Sequence, residues 1–210
     1  MKPIKYITRS MLLISLITSS FTLNAQQQIL SFSETYTSEE VLALLDPSDA
    51  FYQMIEASEP HPSSSRLGTF TKSEAKELGD YIQSSDFRTK LPDDLRFAWG
   101  VQQGDLGRSL FALKDPGSEY QGPVRADIKE VSARISDSGN DYSLFISFSE
   151  HGAAKWATLT RKNKGRNIAI LVEGIVYAAP RVMEEIKNGE CSISGDYTEN
   201  DVNRLKAALE

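Results

Sequence analysis

The sequence predicts an α+β protein: a mainly antiparallel mixed sheet with helices packed on one face, preceded by a small helical N-terminal region. Three observations carry this. RFAWGVQ (96–102) and RSLFALK (108–114) alternate with a period of two, as half-buried strands do. EHGAAKWATLTRK (150–162) places Ala153, Trp156, Ala157 and Thr160 on one face at helical spacing. From Ser132 onward the order reads strand, strand, helix, strand, strand, strand, helix, and helices interspersed with hairpins indicate such a sheet.

Residues 1–25 read as a signal peptide. Lys2, Lys5 and Arg9 precede the apolar run Met11–Leu23, and small Ala25 precedes Gln26, which places the cut between Ala25 and Gln26. That run is 13 residues long, short of the roughly 20 needed to span a bilayer. Residues 26–66 read as a flexible lead-in with one short helix. The stretch 26–37 is rich in Gln, Ser and Thr, Ser38 caps the helix, Glu39 and Glu40 occupy its first turn, and Pro47 stops it. SEPHPSSSR (58–66) has the composition of a loop.

Residues 67–118 read as a base-like segment. Its helix starts at Thr71, with Glu74 at capping-box spacing, and the two strands quoted above flank the QGDLG loop. Residues 119–210 read as a head domain. Strands on either side of SDSGND, a helix capped by Ser149, the hairpin around Glu173–Gly174, a strand at CSISG and a last helix from Thr198 follow in turn. In Asn167–Val172 both alternating sets are apolar after Asn167, the mark of a central strand covered on both faces. Ile175 and Tyr177, on the second arm of that hairpin, are candidates for peptide contact.

Composition narrows the function. The chain has 210 residues, 40% hydrophobic and 25% charged, with a net charge of −6; loss of residues 1–25 removes three positive charges and leaves −9. An acidic surface opposes binding to phosphate backbones, so nucleic acid is not an expected partner. Cys191 is the single cysteine and reads as a small buried residue in a strand. One cysteine and the separated His61 and His151 supply no metal-ligand cluster. His61 beside Ser63–Ser65 lacks the strand-to-helix G-x-S-x-G turn of a hydrolase, and GVQQGDLGRS (100–109) lacks the ending of a phosphate loop. No catalytic residue, no metal site and no cofactor is expected, and the chain is read as not an enzyme.

Three segments carry a resemblance: GRNIAILVEGIVYAAPRV (165–182) with EIKNGECSISGDYTENDVNRLKAAL (185–209), and upstream EHGAAKWATLTRKNKG (150–165). With DLRFAWG, LFALK and GPVRADIKEV, they resemble the first periplasmic domain of the SecD/SecDF preprotein-export family over about 91–210. Glu173 stands where that family has Asp, Ala178 where it has Ser, and Asn188 where it has one of two glycines. Because Glu adopts a left-handed turn less readily than Asp or Asn, a turn looser than the tightest two-residue type is expected here.

The resemblance implies a ferredoxin-like head and a soluble extracytoplasmic or periplasmic protein. It implies binding of unfolded or extended polypeptide, accessory to protein export or folding in the envelope, with the export machinery as a partner. The alternative is a binding or regulatory module of the envelope that reuses the fold for another ligand.

Overall fold

The computed structural model describes residues 29–102, 107–115, 117, 121–135 and 141–210. The expected signal peptide with its Ala25–Gln26 cut, most of the QGDLG loop and most of the SDSGND turn lie outside the described residues. Those described form an α+β fold with two sheets. In chain order the elements are β1 (Leu30–Glu34), α1 (Ser38–Leu42), α2 (Ala50–Ala57), β2 (Arg66–Phe70), α3 (Lys72–Ile82), α4 (Ser85–Arg88), β3 (Leu95–Gln102) and β4 (Arg108–Lys114). There follow β5 (Ile128–Ile135), β6 (Tyr142–Phe148), α5 (Glu150–Lys162), β7 (Ile168–Val172), β8 (Ile175–Ala178), β9 (Glu190–Ile193) and α6 (Glu199–Leu209). A 3-10 turn, Arg125–Asp127, leads into β5.

The helix starts follow from side chains that satisfy otherwise orphaned backbone N–H groups. Thr71 with Glu74 and Thr198 with Asp201 form reciprocal capping boxes, and Ser149 caps α5 by accepting from Gly152 N–H. At α1 the cap is Thr37, one residue earlier than the sequence suggests. Glu40 sits three residues beyond Thr37 and returns the bond to the Thr37 N–H at 2.8 Å. Ser38 could find only apolar Val41 at that spacing. Its hydroxyl instead donates to the His61 carbonyl at 2.9 Å.

The segment expected to be a flexible lead-in contains ordered elements. LSFSE is strand β1, paired antiparallel with β7 from Leu30↔Val172 to Glu34↔Ile168. Leu30 and Phe32 point into the core, and the intervening serines keep a two-residue alternation that polar composition disguises. Helix α2 is capped by Asp49, which accepts from Phe51 N–H at 2.9 Å, and it buries Phe51 and Ile55 one turn apart.

The strands divide as β1-β7-β8-β3-β4-β2 and β5-β6-β9. Pairing is antiparallel throughout except between β3 and β8. The β7–β8 hairpin therefore joins the larger sheet, although its sequence neighbours β6 and β9 pair with each other in the smaller one. The larger sheet also curls: Thr35, just past β1, bridges Leu113 of β4, and Tyr36 N–H donates to the Ala112 carbonyl at 3.1 Å.

Alternation then distributes the core. Ile168, Ile170 and Val172 of β7 join Leu30, Phe32, the inner face of β6 and β9, and helices α5 and α6 in one apolar cluster. The Phe32 ring lies 4.8 Å from Trp156 and 6.0 Å from Phe148, so β1 is welded to the C-terminal layer. Ala169 and Leu171 face the other way, into the curl, with Leu113 and Val176. A third cluster joins α1–α4 to β2, β3 and β4. Strand β7 is buried along its whole length because two of these clusters need it.

A candidate polypeptide-binding cleft beside the hairpin

The hairpin turn is tight. Glu173 has φ 51° and Gly174 φ 79°, both left-handed, which makes a two-residue type I′ turn. This corrects the expectation of a looser turn: the right-handed twist of β7 and β8 favours the I′ geometry, and Glu173 accepts the strain. Strand β8 emerges with Ile175 half-buried, Val176 buried and Tyr177 half-buried. Tyr177 is the extra residue where the β7–β8 register shifts between Leu171↔Val176 and Ile170↔Ala178. A bulge re-aims its side chain, and the ring packs on the large cluster, 6.1 Å from Tyr197.

On its other side β8 meets β3 in parallel at a single position, Gly100↔Val176. The approach is close: a Cβ on Gly100 would come to 3.0 Å from the Phe111 ring, which would have to give by a few tenths of an ångström to admit it. With both neighbours in place, β8 is an internal strand, and an added peptide strand cannot pair along it at Val176. The smaller sheet has β5 as an edge strand, ending in Ile135, which is 53% exposed.

Around this junction lies a cleft of about 270 Å³. Its apolar floor is Val176, Ala178, Ala179 and Phe111, with the backbone of Gly100. One wall is Ser64–Arg66, at the start of β2, and the other is Ser194–Tyr197, after β9. Hydrogen bonds fix these walls: the Ser65 carbonyl accepts from Ala112 N–H at 3.0 Å, and Ser64 Oγ accepts from Arg66 N–H at 3.0 Å. Asn167 Nδ2 donates to the Ala179 carbonyl at 2.7 Å. The Tyr197 hydroxyl donates to the Tyr177 carbonyl, tying the β9 loop to the hairpin.

The electrostatics are those of a neutral surface. Burial, helped by Tyr177 and nearby carboxylates, pushes the Tyr197 phenol up to about 12, and burial also raises Tyr177, with Glu173 adding to it. Both phenols remain neutral hydrogen-bonding groups at physiological pH. Exposed Arg66 and Asp196 at the rim carry opposite charges. Ser65 is 1% exposed, and its Oγ has no hydrogen-bond partner among the described residues.

Elsewhere, His61 Nδ1 lies 3.0 Å from Ser63 Oγ in an exposed loop, where it also faces the Ser63 N–H, a local turn contact. Burial pushes the Cys191 thiol up to about 12. Among the described residues no group of three or more His, Cys, Asp or Glu could hold a metal ion, and no helix is long and apolar enough to cross a membrane.

Of the residues singled out in the sequence, the structure brings Tyr177 to the cleft and leaves Ile175 outside its lining. In the sequence Ser64 and Ser65 draw notice only as neighbours of His61, and the Ser194–Tyr197 loop only as the end of a strand. The serines lie in a stretch whose composition marks only a loop, and no local pattern announces that one of them will be buried.

Comparison with known proteins places the C-terminal part of the chain. Residues 124–210 match the model of the SecDF P1 head subdomain. The protein translocase subunit SecD of Acidaminococcus fermentans is 40% identical over 83 residues, which cover 40% of this chain and 20% of that protein. SecD of Sebaldella termitidis is 33% identical over 111 residues, covering 50% and 27% respectively. A solved structure of SecDF, described as a membrane component that enhances protein export, aligns with a TM-score of 0.45 and 19% identity over 86% of this chain and 60% of that one. The chain thus spans about a quarter or less of these two SecD relatives. Residues 124–210 are thus similar to the SecD-type head domain of the SecD/SecDF family.

Proposed function

We propose that the protein acts outside the cytoplasm as a non-catalytic binder of extended polypeptide, accessory to protein export. The observation that carries this reading is the head-domain match over residues 124–210. The relatives are named as subunits of a protein translocase, which favours the export machinery as the setting in which the domain works. The cleft beside Tyr177 supports it further, because neutral hydroxyls over a small apolar floor suit a peptide chain better than a charged ligand. Soluble release after cleavage near Ala25 belongs to the same proposal.

Binding of this kind needs no cofactor. Backbone groups of an extended segment supply hydrogen bonds, and ordering the flexible segment costs several kcal/mol, so the affinity is on the order of micromolar. The test is a titration of a labelled, reduced and unfolded secretory protein with residues 26–210, using the folded form of the same protein as control. Saturable binding of the unfolded form alone is expected. Equal binding of both forms, or none up to millimolar protein, removes the reading.

A further inference from the structure

Strand β5 is an edge of the smaller sheet: it pairs with β6, and no strand among the described residues pairs with its other side. In an antiparallel edge strand alternate residues point their N–H and C=O groups away from the neighbour, so main-chain donors and acceptors face outward. From Glu130↔Ser147 to Ile135↔Tyr142 the β5–β6 register runs unbroken, since its shift falls between Ile128 and Glu130. That bulge blunts only the start of the strand. Beyond it Glu130, Ala133, Arg134 and Ile135 are all exposed. Ala133 is exposed although it shares a face with buried Val131, as on an edge left open.

Charges commonly guard such an edge against other chains. On β5 their order is also self-complementary. Two copies meeting antiparallel about a two-fold axis perpendicular to the sheet keep inner face with inner face, so the axis passes at a residue and not between two. With the axis at Ser132, Glu130 stands opposite the partner's Arg134, and Arg134 opposite the partner's Glu130. Val131 then meets the partner's Ala133, and the stem of Lys129 meets the partner's Ile135. Moving the axis to Val131 or Ala133 separates both Glu–Arg pairs, so charge selects one register. Glu130 is in no ion pair among the described residues. Arg134 lies over the Phe145 ring, 4.4 Å from its centroid, which holds the guanidinium on the same face as Glu130.

We propose that β5 is an interface strand for a second copy of this chain, pairing antiparallel with the partner's β5 about a two-fold axis at Ser132 and joining two three-stranded sheets into one. The pairing stands apart from the polypeptide-binding reading. One strand from each copy makes a small, transient interface, with dissociation on the order of 100 μM.

The test is sedimentation of residues 26–210 from micromolar to millimolar concentration, as wild type, Glu130→Arg, Arg134→Glu, the double variant and an equimolar mixture of the two single variants. The wild type passes from monomer to dimer, and amide exchange in 130–134 slows as it does. Each single variant sets like charges opposite each other on both sides of the axis and dimerises about tenfold more weakly. The double variant exchanges the two charges and dimerises within about threefold of the wild type. The mixture recovers dimers too, because the Arg-bearing strand of one variant then faces the Glu-bearing strand of the other. Both side chains are exposed, so melting temperatures close to that of the wild type are expected throughout.

A wild type that stays monomeric at millimolar concentration overturns the proposal, as do single variants that dimerise like the wild type or a mixture that does not recover. Dimers that leave exchange in 130–134 unaltered place the contact elsewhere and overturn it equally. If only added unfolded polypeptide slows exchange there, the edge belongs to an extended chain and the second copy is excluded as its occupant.

Discussion

At Glu173 a non-glycine residue is held at φ 51°, next to Gly174 at φ 79°. The left-handed region costs an L-residue other than Gly, Asn or Asp roughly 1–2 kcal/mol. Glu173→Asn is therefore expected to stabilise the protein by a few tenths of a kcal/mol up to about 1 kcal/mol, since Asn tolerates this conformation. Gly174→Val brings a β-branched residue into the same region and should destabilise by at least about 1 kcal/mol. Denaturant midpoints of the two variants check both signs. The sequence shows that a turn lies here, because two apolar runs meet at Glu-Gly, and it is less explicit about its type. Strand twist, a property of the paired strands together, overrode the local reluctance of Glu.

Single elements differ in how plainly the sequence announces them. Helices α3, α5 and α6 are legible because cap and apolar face lie in the same dozen residues. Strand β1 is not, since LSFSE carries only Leu30 and Phe32 as apolar signals and its meaning comes from Phe148, Trp156 and Ile170, more than a hundred positions away. Phe32 is 2% exposed within that aromatic group. Phe32→Ala should cost about 3–5 kcal/mol, the loss of a fully buried aromatic side chain with its cavity left open. Equilibrium urea unfolding measures this, and a cost below about 1 kcal/mol would show that β1 is the peripheral lead-in its composition suggests. The cleft was legible only through Tyr177. Its other walls come from Ser64–Arg66 and Ser194–Tyr197, which no sequence period connects.

Across the whole molecule, the hairpin β7–β8 is the piece that both layers share. Its inner face belongs to the apolar cluster with α5, α6 and the smaller sheet, its opposite face closes the curl of the larger sheet, and its second arm floors the cleft. The segment that matches the head model, residues 124–210, thus gives up its hairpin to a sheet whose remaining strands lie in residues 29–114. The sequence anticipates the α+β class but not this division into two sheets, because pairing partners are chosen by burial across the whole chain and not by order along it.

The function proposed at this scale is the capture of extended polypeptide. Amide hydrogen exchange of residues 26–210, with and without saturating unfolded secretory protein, tests it most directly. Binding should slow exchange in the segments that border the cleft, 64–66, 176–179 and 194–197, with no comparable change when the folded form of the same protein is added. Exchange in those segments that is unaltered by the unfolded chain, or slowed equally by the folded one, would contradict the account.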